Sequence, residues 1–529
     1  MRQGLVNEMA EEYLEYLKDE SRTVGMAESI SFPKNEGEVV RIMQQMYLQK
    51  CPVTIQGART GLAAGAVPKE GHVMNLTRMN GIGGMRRDEE GYYYLRVAPG
   101  LALSELRKKI EQKNLWHSTW SEESKGAYDV FSKGPEQFFS PDPTETSATI
   151  GGMVACNASG ARSYFYGPIR RYVTGLRVVL SDGQTLSLRR GESTARGHSL
   201  CLVTEQGTER NISLPRYRMP ETKNASGYYV HENMDAIDLF IGSDGTLGVL
   251  TEIEIKLLPM PPVVWGVTCF FHREEEAVAC VDPVRSTMTD VAAMEYFDGD
   301  ALKILRKQKE TGTVFAQLPE IPARMQAALY VEFHCQSEKE AMEQLLQTGI
   351  CVEAAGGRRT DTWVARVDVD RDRLMFFRHA VPESVNMLID QRKKQYPGLT
   401  KLGTDMAVPN EHLAAIIKTY REALQRQGLE SAVWGHIGNN HLHVNILPEN
   451  QEDYEAGKII YAQWAEEVTR LGGAVSAEHG VGKQKSHFLE VMYGKEAVME
   501  MVSLKKSLDP EGLLGRDNLF VWKEGGDHS

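Results

Sequence analysis

The residues best suited to chemistry are histidines concentrated in one part of the chain. Five of the 14 histidines fall between positions 436 and 487, where an even spread would place about one or two. They are His436, His441, His443, His479 and His487. Several imidazoles close together can hold a divalent metal or transfer protons. A hydrogen-bonded polar patch would account for a single histidine better than for this cluster.

Alternation after position 440 predicts that part of the cluster lies on one face of a strand. With a period of two, His441, His443 and Asn445 share a face, and the apolar residues between them face the core. His436 precedes a Gly-Asn-Asn turn, so a hairpin would bring it beside His443. Glu478 follows the next predicted helix, in a glycine-rich loop. Two imidazoles and one carboxylate with open positions suit zinc, manganese or ferrous iron.

The elements around this cluster predict two domains, because 529 residues exceed one ordinary core. Residues 1–29 are expected to form an amphipathic N-terminal helix. Residues 30–260 combine helices, strands and loops of small residues, and they end in a proline-rich break. Residues 261–508 alternate strands and helices, which predicts an α+β domain with an antiparallel sheet. Residues 509–529 are expected to return to the first domain.

Three loops of small residues in the first domain could approach a ligand closely. The first, residues 56–65, could cradle phosphates with its backbone N–H groups, although a tight turn explains it equally well. It fits neither GxGxxG nor GxxxxGK[ST], which disfavours a Rossmann or Walker site. The second covers residues 141–160. Its side-chain bulk nearly vanishes from Ser147 to Ala161, apart from Ile150, Met153 and Asn157, which favours a ligand wall over a close-packed helix start. The third covers residues 242–249.

Together the loops resemble the FAD-binding PCMH-type domain of the vanillyl-alcohol oxidase superfamily. The most similar branch is the glycolate oxidase, D-lactate dehydrogenase and D-2-hydroxyglutarate dehydrogenase group, with its PDP…TIGG…NAGG block and GSEGTLG loop. Here NAGG is NASG, GSEGTLG is GSDGTLG, and Arg59 replaces the usual third glycine of the first loop. The histidine that bonds flavin covalently in some relatives has no match in that loop, so non-covalent FAD is implied.

The resemblance also implies which residues bind FAD. The first loop would hold the pyrophosphate, and the second would wrap the ribityl chain and the isoalloxazine ring. The residues implied are Gly57, Ala58, Arg59, Thr60, Gly61, Pro141, Thr144, Thr149, Gly151, Gly152, Asn157 and Val249.

The histidine cluster matches two motifs of the same group, GHxGDGNLHxN at residues 435–445 and EHGxGxxK at residues 478–485. In metal-dependent members the matching residues bind the metal, and the histidine after the glutamate acts on the substrate. The implied ligands are His436, His443 and Glu478, and the implied catalytic residues are His479 and Asn445. The GDGN segment is altered to end in His441, which leaves the metal's identity and the role of His441 open.

A substrate carboxylate requires a cation, and a planar arginine suits it best. Arg378 lies where the resembling dehydrogenases carry such an arginine, although a surface salt bridge is an equal alternative. Pro382 and Gly403 fall near the positions of the threonine and lysine that assist the hydroxyglutarate branch, and Lys401 is offset. A second substrate carboxylate therefore has no assured partner.

The resemblance implies oxidation of a D-2-hydroxy acid to the 2-keto acid, with hydride transfer to FAD and assistance from a divalent metal. The main alternative is a non-redox flavoenzyme resembling alkyl-dihydroxyacetonephosphate synthase, whose HHHGVGK block differs from the Ala477-Glu478 pair of this chain. A flavin-binding partner subunit without chemistry is a third possibility, which the intact histidine and glutamate set disfavours.

Composition limits the partners. The net charge of −12 argues against nucleic acid, and no apolar run is long enough to span a bilayer. The seven cysteines form no CxxC pair, and their scatter argues against an iron–sulfur cluster within the chain and favours a reducing cytoplasm. The acidic N-terminus lacks an apolar signal core, which argues against secretion. Electrons would therefore leave to another carrier, with electron-transfer flavoprotein or an iron–sulfur subunit as candidates. A homodimer is the candidate oligomer.

Overall fold

The computed structural model describes residues 4–523 of the chain. Its first domain combines short strands with helices. The strands are β1 (Val6–Glu8), β2 (Ser29–Ser31), β3 (Val53–Gln56), β4 (His72–Asn75), β5 (Ile82–Arg87), β6 (Tyr93–Val97), β7 (Gln137–Phe138), β8 (Val173–Val179), β9 (Thr185–Arg189), β10 (Ser199–Val203), β11 (Glu209–Ser213), β12 (Val249–Lys256) and β13 (Leu258–Pro259). The helices are α1 (Glu36–Gln49), α2 (Leu103–Glu111), α3 (Glu122–Lys133), α4 (Ile150–Ala155), α5 (Ser163–Tyr166) and α6 (Ile237–Phe240).

Two main sheets hold the loops of this domain. A four-stranded sheet has the order β1-β2-β4-β3, and a five-stranded antiparallel sheet has the order β5-β6-β12-β8-β9. Helix α1 buries Val39, Ile42 and Met43 in the core formed where these sheets meet. The first small-residue loop follows β3, and the third precedes β12.

The second domain is built on an eight-stranded antiparallel sheet. Its strands are β14 (Val263–Phe271), β15 (Val291–Asp298), β16 (Ala327–Cys335), β17 (Thr362–Ala365), β18 (Leu402–Gly403), β19 (Met406–Ala407), β20 (Ser431–His436) and β21 (His441–Ile446). The order is β17-β14-β16-β15-β20-β21-β18, with β19 also paired to β21. The helices are α7 (Glu274–Thr287), α8 (Gly299–Lys309), α9 (Glu338–Ala354), α10 (Asp368–Lys393), α11 (Leu413–Gln427), α12 (Gln451–Arg470), α13 (His487–Tyr493) and α14 (Lys495–Leu508). The predicted α+β class and antiparallel sheet are confirmed.

The N-terminal segment differs from the predicted amphipathic helix. Residues 1–3 lie outside the described part, β1 pairs with β2, and Glu11–Leu17 forms a 3-10 helix with no buried residue. Tyr13 and Tyr16 pack instead on Phe32, with ring centroids 5.8 and 5.1 Å from it. Strand pairing at the sheet edge and aromatic contacts thus take the place of the predicted helix.

The C-terminal elements cross back to the first domain earlier than the sequence pattern suggests. Helix α14 was expected to close the second domain, but its Met501, Leu504 and Leu508 belong to the core of the first. Beyond it, Val53 N donates to Leu513 O at 2.7 Å, so the tail lies beside β3. None of the helices within residues 4–523 has the length and apolar character needed to cross a bilayer.

Candidate active site

A cavity of about 330 Å³ lies between the two domains and brings most of the predicted site residues together. The first domain contributes Gly57, Ala58, Arg59, Thr60, Gly61, Thr144, Thr149, Gly151 and Gly152 to its lining. The second contributes Arg378, His436, His443, Glu478 and His479. Four predicted residues are not among the lining residues, and these are Pro141, Asn157, Val249 and Asn445.

The first loop is shaped for close approach. A Cβ at Gly57 would come within 2.1 Å of Thr149 Oγ1, so only glycine lets the first and second loops pack together. Arg59 has a left-handed φ of 63°, which explains why a glycine is usual at this position. Its guanidinium lies 4.2 Å from the Tyr16 ring centroid, and its buried Nη1 has no hydrogen-bond partner among residues 4–523. A free cationic donor at a cavity wall suits an anion such as a pyrophosphate.

The second loop enters α4 with its small residues against the cavity. The Thr149 hydroxyl accepts from Gly152 N at 3.3 Å and caps the helix. A Cβ at Gly151 would lie 2.6 Å from Pro99 Cβ, whereas at Gly152 the side chain of Thr149, at 3.2 Å, is the one group within 4 Å in the described residues. The loop therefore leaves open space beside Gly152, and its small residues fit the close approach of the FAD that the resemblance implies.

The predicted site residues outside the cavity lining lie behind it, where they hold the backbone of the lining segments in place. Pro141 O accepts from Arg107 Nη2 at 2.7 Å, and Val249 is buried in β12. Asn157 takes a left-handed φ of 50°, and its Oδ1 accepts from Arg170 N at 3.4 Å. Asn445, the predicted catalytic amide, is 2% exposed and donates to His443 O at 3.0 Å.

The hairpin of β20 and β21 assembles the histidines. In its register His436 faces His441, and Trp434 faces His443. His436 Nε2 lies 3.1 Å from Glu478 Oε2, and His441 Nδ1 lies 3.5 Å from the same oxygen. One donor atom from each of His436, His441, His443 and Glu478 lies within 4.8 Å of the other three. This nitrogen and oxygen donor set fits a divalent transition metal.

Each of the three imidazoles is held at its other nitrogen by an oxygen. His436 Nδ1 lies 2.6 Å from Glu295 Oε1, and His443 Nδ1 lies 3.0 Å from Thr404 O. His441 Nε2 lies 2.9 Å from Asp405 Oδ1. Such contacts orient metal-binding histidines in known sites.

The electrostatic surroundings make the three imidazoles unequal. Burial and the Lys223 ammonium lower the pKa of His441 to about 4. Burial and the neighbouring imidazoles hold the pKa of His443 well below its usual value. Burial opposes the charged form of His436 too, but the Glu295 carboxylate outweighs it and raises that pKa. His441 and His443 are therefore neutral near pH 7, which is the form that binds metals.

Asp405 organises the other side of the cluster, and the motifs do not contain it. Its carboxylate accepts from the backbone N–H groups of Glu478 and His479 at 3.2 and 3.0 Å. It also accepts from Lys485 Nζ at 2.8 Å and lies 3.6 Å from His479 Nδ1. Despite complete burial, the neighbouring His479 and His441 imidazoles and the Lys485 ammonium keep the pKa of Asp405 well below the usual value. Its one signal in the sequence is a lone charge within the apolar run 402–408.

Lys223 is a second site residue that the sequence does not indicate. Its Nζ donates to Glu478 Oε2 at 2.7 Å, and the two side chains are 7% and 10% exposed. Burial disfavours the Glu478 carboxylate, but Lys223 and His436 keep its pKa well below the usual value. A cation from the first domain thus already faces a candidate metal ligand of the second.

Arg378 lies on α10 and lines the cavity, and its guanidinium has few close partners. Its side chain is 9% exposed, its Nη2 lies 3.6 Å from Glu295 Oε2, and its Nε has no partner in the described chain. The Tyr330 ring centroid lies 5.2 Å from its Cζ. Burial disfavours its charge, but the Glu295 carboxylate raises its pKa. Within residues 4–523, Arg378 Nη1 donates only to Met375 Sδ, at 3.3 Å. A buried guanidinium with a free Nε and weakly paired Nη atoms is suited to a carboxylate ligand.

Comparisons with known proteins agree with this geometry. The family model for the C-terminal domain of FAD linked oxidases matches residues 260–519. The model for an FAD binding domain matches residues 27–123 and 133–189. The chain belongs to the FAD-linked oxidases. The predicted FAD binding and the class of flavin-dependent oxidoreductase are confirmed.

Relatives of this FAD-linked oxidase share about a quarter of its sequence over nearly its whole length. Glycolate oxidase subunit GlcD of Bacillus subtilis is 25% identical, covering 94% of this chain and 89% of its own. D-lactate dehydrogenase of Archaeoglobus fulgidus is 26% identical, covering 91% and 89%. D-2-hydroxyglutarate dehydrogenase of Stutzerimonas stutzeri is 26% identical, covering 96% and 94%.

Two solved structures share the fold of this FAD-linked oxidase. An alkyldihydroxyacetonephosphate synthase has a TM-score of 0.62 at 14% identity, covering 97% of this chain and 82% of its own. 4-Ethylphenol oxidase from Gulosibacter chungangensis has a TM-score of 0.65 at 16% identity, covering 98% and 95%.

Proposed function

We propose that this FAD-linked oxidase oxidises a D-2-hydroxy acid to the 2-keto acid. The observation that carries the proposal is one cavity whose lining includes both the small-residue loops and the set Arg378, His436, His443, Glu478 and His479. The names of the relatives, which include lactate, glycolate and hydroxyglutarate enzymes, agree with it.

Arg378 would bind the substrate carboxylate. Its distance of 3.6 Å to Glu295 leaves the guanidinium fork weakly paired, and Nε is free within the described residues. A carboxylate could accept two parallel hydrogen bonds from that fork, which would fix the direction of the hydroxyl group.

His479 would accept the hydroxyl proton. Burial lowers its pKa below the usual 6.5, so it is neutral near pH 7. Its ring stacks on His443 with centroids 5.2 Å apart, and Asp405 lies 3.6 Å from Nδ1. That carboxylate would stabilise the imidazolium formed by proton transfer.

His436, His443 and Glu478 would hold a divalent metal, and the Gly57–Gly61 and Pro141–Asn157 loops would hold FAD. When bound, the metal would supply Lewis-acid activation of the substrate hydroxyl, and the flavin would supply the hydride acceptor. We propose that the FAD is bound non-covalently. Burial raises the pKa of the lining thiol of Cys156 to about 12, which disfavours a nucleophilic thiolate at that position.

The electron acceptor is a separate carrier in this proposal, either electron-transfer flavoprotein or an iron–sulfur subunit. Within residues 4–523 no group of three potential metal ligands contains a cysteine. A cytoplasmic location and a homodimer complete the proposal.

Anaerobic stopped-flow absorbance tests the reaction directly. Matched D- and L-enantiomers of lactate, 2-hydroxybutyrate and 2-hydroxyglutarate, together with achiral glycolate, are mixed with the FAD-loaded protein. Flavin bleaching by at least one D-acid, with its L-enantiomer as the inactive control, is expected. Bleaching by none of the acids would contradict the proposal and favour a non-redox reaction like that of the synthase.

A further inference from the structure

His441 occupies the position where the family motif GHxGDGNLHxN has an asparagine. Its ring is fully buried, and its Nδ1 has no hydrogen-bond partner within residues 4–523. That atom lies 3.5 Å from Glu478 Oε2. A buried nitrogen without a partner is costly, so its placement against a carboxylate calls for an explanation.

The partner of the other ring nitrogen fixes which atom of His441 carries the proton. Asp405 Oδ1 lies 2.9 Å from Nε2, and the same carboxylate accepts from the Glu478 backbone N–H and from Lys485 Nζ, so it acts as an acceptor. The Nε2 hydrogen is therefore directed to Asp405, and Nδ1 is the ring atom left to bind a cation beside Glu478. Nδ1 makes no hydrogen bond to the Glu478 carboxylate at 3.5 Å, whereas a shared metal cation would join the two groups.

The neighbouring imidazoles direct their other ring nitrogens to the same region. His443 Nδ1 lies 3.0 Å from the Thr404 carbonyl oxygen, which can only accept a hydrogen bond. The hydrogen on His443 is therefore on Nδ1, and Nε2 is available to bind a metal. His436 Nδ1 lies against Glu295, leaving Nε2 directed to Glu478. Three imidazoles and one carboxylate thus converge within 4.8 Å.

We propose that His441 is a fourth protein ligand, so that this chain holds its metal with three histidines and one glutamate. Four protein ligands fill the coordination of tetrahedral zinc, whereas a six-coordinate ion such as Mn²⁺, Fe²⁺ or Co²⁺ keeps two positions open. Two positions would accommodate the carboxylate and hydroxyl oxygens of a 2-hydroxy acid, and this last step rests on the proposed function. Catalysis would therefore require a six-coordinate ion in this site.

Metal titration of the FAD-loaded, chelator-treated protein tests the ligand. Co²⁺ binding is followed by its visible absorption, and Mn²⁺ and Zn²⁺ by competition. His441→Asn, which restores the family residue, should weaken Co²⁺ and Mn²⁺ binding by at least roughly 10- to 100-fold and change the Co²⁺ spectrum, while FAD content stays the same. The matched control is His487→Asn, which should bind as wild type does, because this histidine at the start of α13 is exposed and is not among the four convergent residues.

Wild-type metal binding with an unchanged spectrum in His441→Asn would overturn the proposal, as would a wild-type chain that binds no divalent metal. If His441→Asn does not fold, X-ray absorption of the Co²⁺-loaded wild type decides, because three coordinated imidazoles are expected and two would refute the assignment. None of these measurements requires turnover. A four-ligand site in a protein that oxidises no hydroxy acid would remove the proposed function and leave this ligand assignment intact.

Discussion

Replacing Arg378 by lysine tests the assignment of the substrate carboxylate most sharply. Arg378→Lys keeps the positive charge near Glu295, which lies 3.6 Å away, but removes the planar fork and its unpartnered Nε. Losing one charge-assisted hydrogen bond costs about 1.5–3 kcal/mol. Since each 1.36 kcal/mol is tenfold, kcat/KM should fall by roughly 10- to 150-fold.

The assay compares steady-state kcat/KM, with a dye as acceptor, and the anaerobic rate of flavin reduction across several 2-hydroxy acids. The loss should be similar for every acid accepted, because all share the carboxylate. FAD content and Tm should change little. Arg373→Lys is the matched control, since that arginine lies on the same helix, is 65% exposed and pairs with Asp370 at 3.5 Å. Exposed pairs contribute little, so its kinetics should equal wild type.

Normal kinetics in Arg378→Lys would refute the reasoning. A fall in Tm without a kinetic change would show that the arginine stabilises the Glu295 carboxylate instead of the substrate. A loss confined to one substrate would place Arg378 at the variable end of the hydroxy acid, away from the shared carboxylate.

Further measurements test the cofactor, the metal and the base. Acid or heat should release the yellow colour into the supernatant as FAD, and colour retained in the precipitate would reveal a covalent bond. His443→Ala should lower metal content and slow flavin reduction while FAD content stays unchanged; loss of FAD instead would show that the cluster also shapes the flavin site. Lys223→Met removes the ammonium 2.7 Å from Glu478 Oε2, so added Mn²⁺ should raise its Tm more than that of wild type, whereas Lys223→Arg should resemble wild type. Because His479 must be neutral to accept a proton and burial lowers its pKa from 6.5, kcat/KM should fall with acid only below pH 6.5, and a limb above that value would point to another base.

Local sequence patterns predict much of the candidate site. The alternation after position 440 predicts the shared face of His441 and His443, and the structure pairs that strand with the one ending at His436. Glycine and alanine content predicts the loops that line the cavity, since absent side chains determine how closely a ligand can approach. These features depend on neighbours in the sequence, and a single segment shows them.

Other decisive residues became visible only in the tertiary structure. Glu295, Asp405 and Lys223 come from separate segments, and each acts through a partner distant in sequence: His436, His441 and Glu478 respectively. A lone charge in an apolar run carries no sign of its partner, because burial and pairing are set by packing between elements. Packing between elements also places α14 in the core of the first domain. It likewise decides that the N-terminal segment forms a strand and a 3-10 helix instead of the predicted amphipathic helix. The sequence thus determined which groups could do the chemistry, and long-range packing decided which atoms face one another.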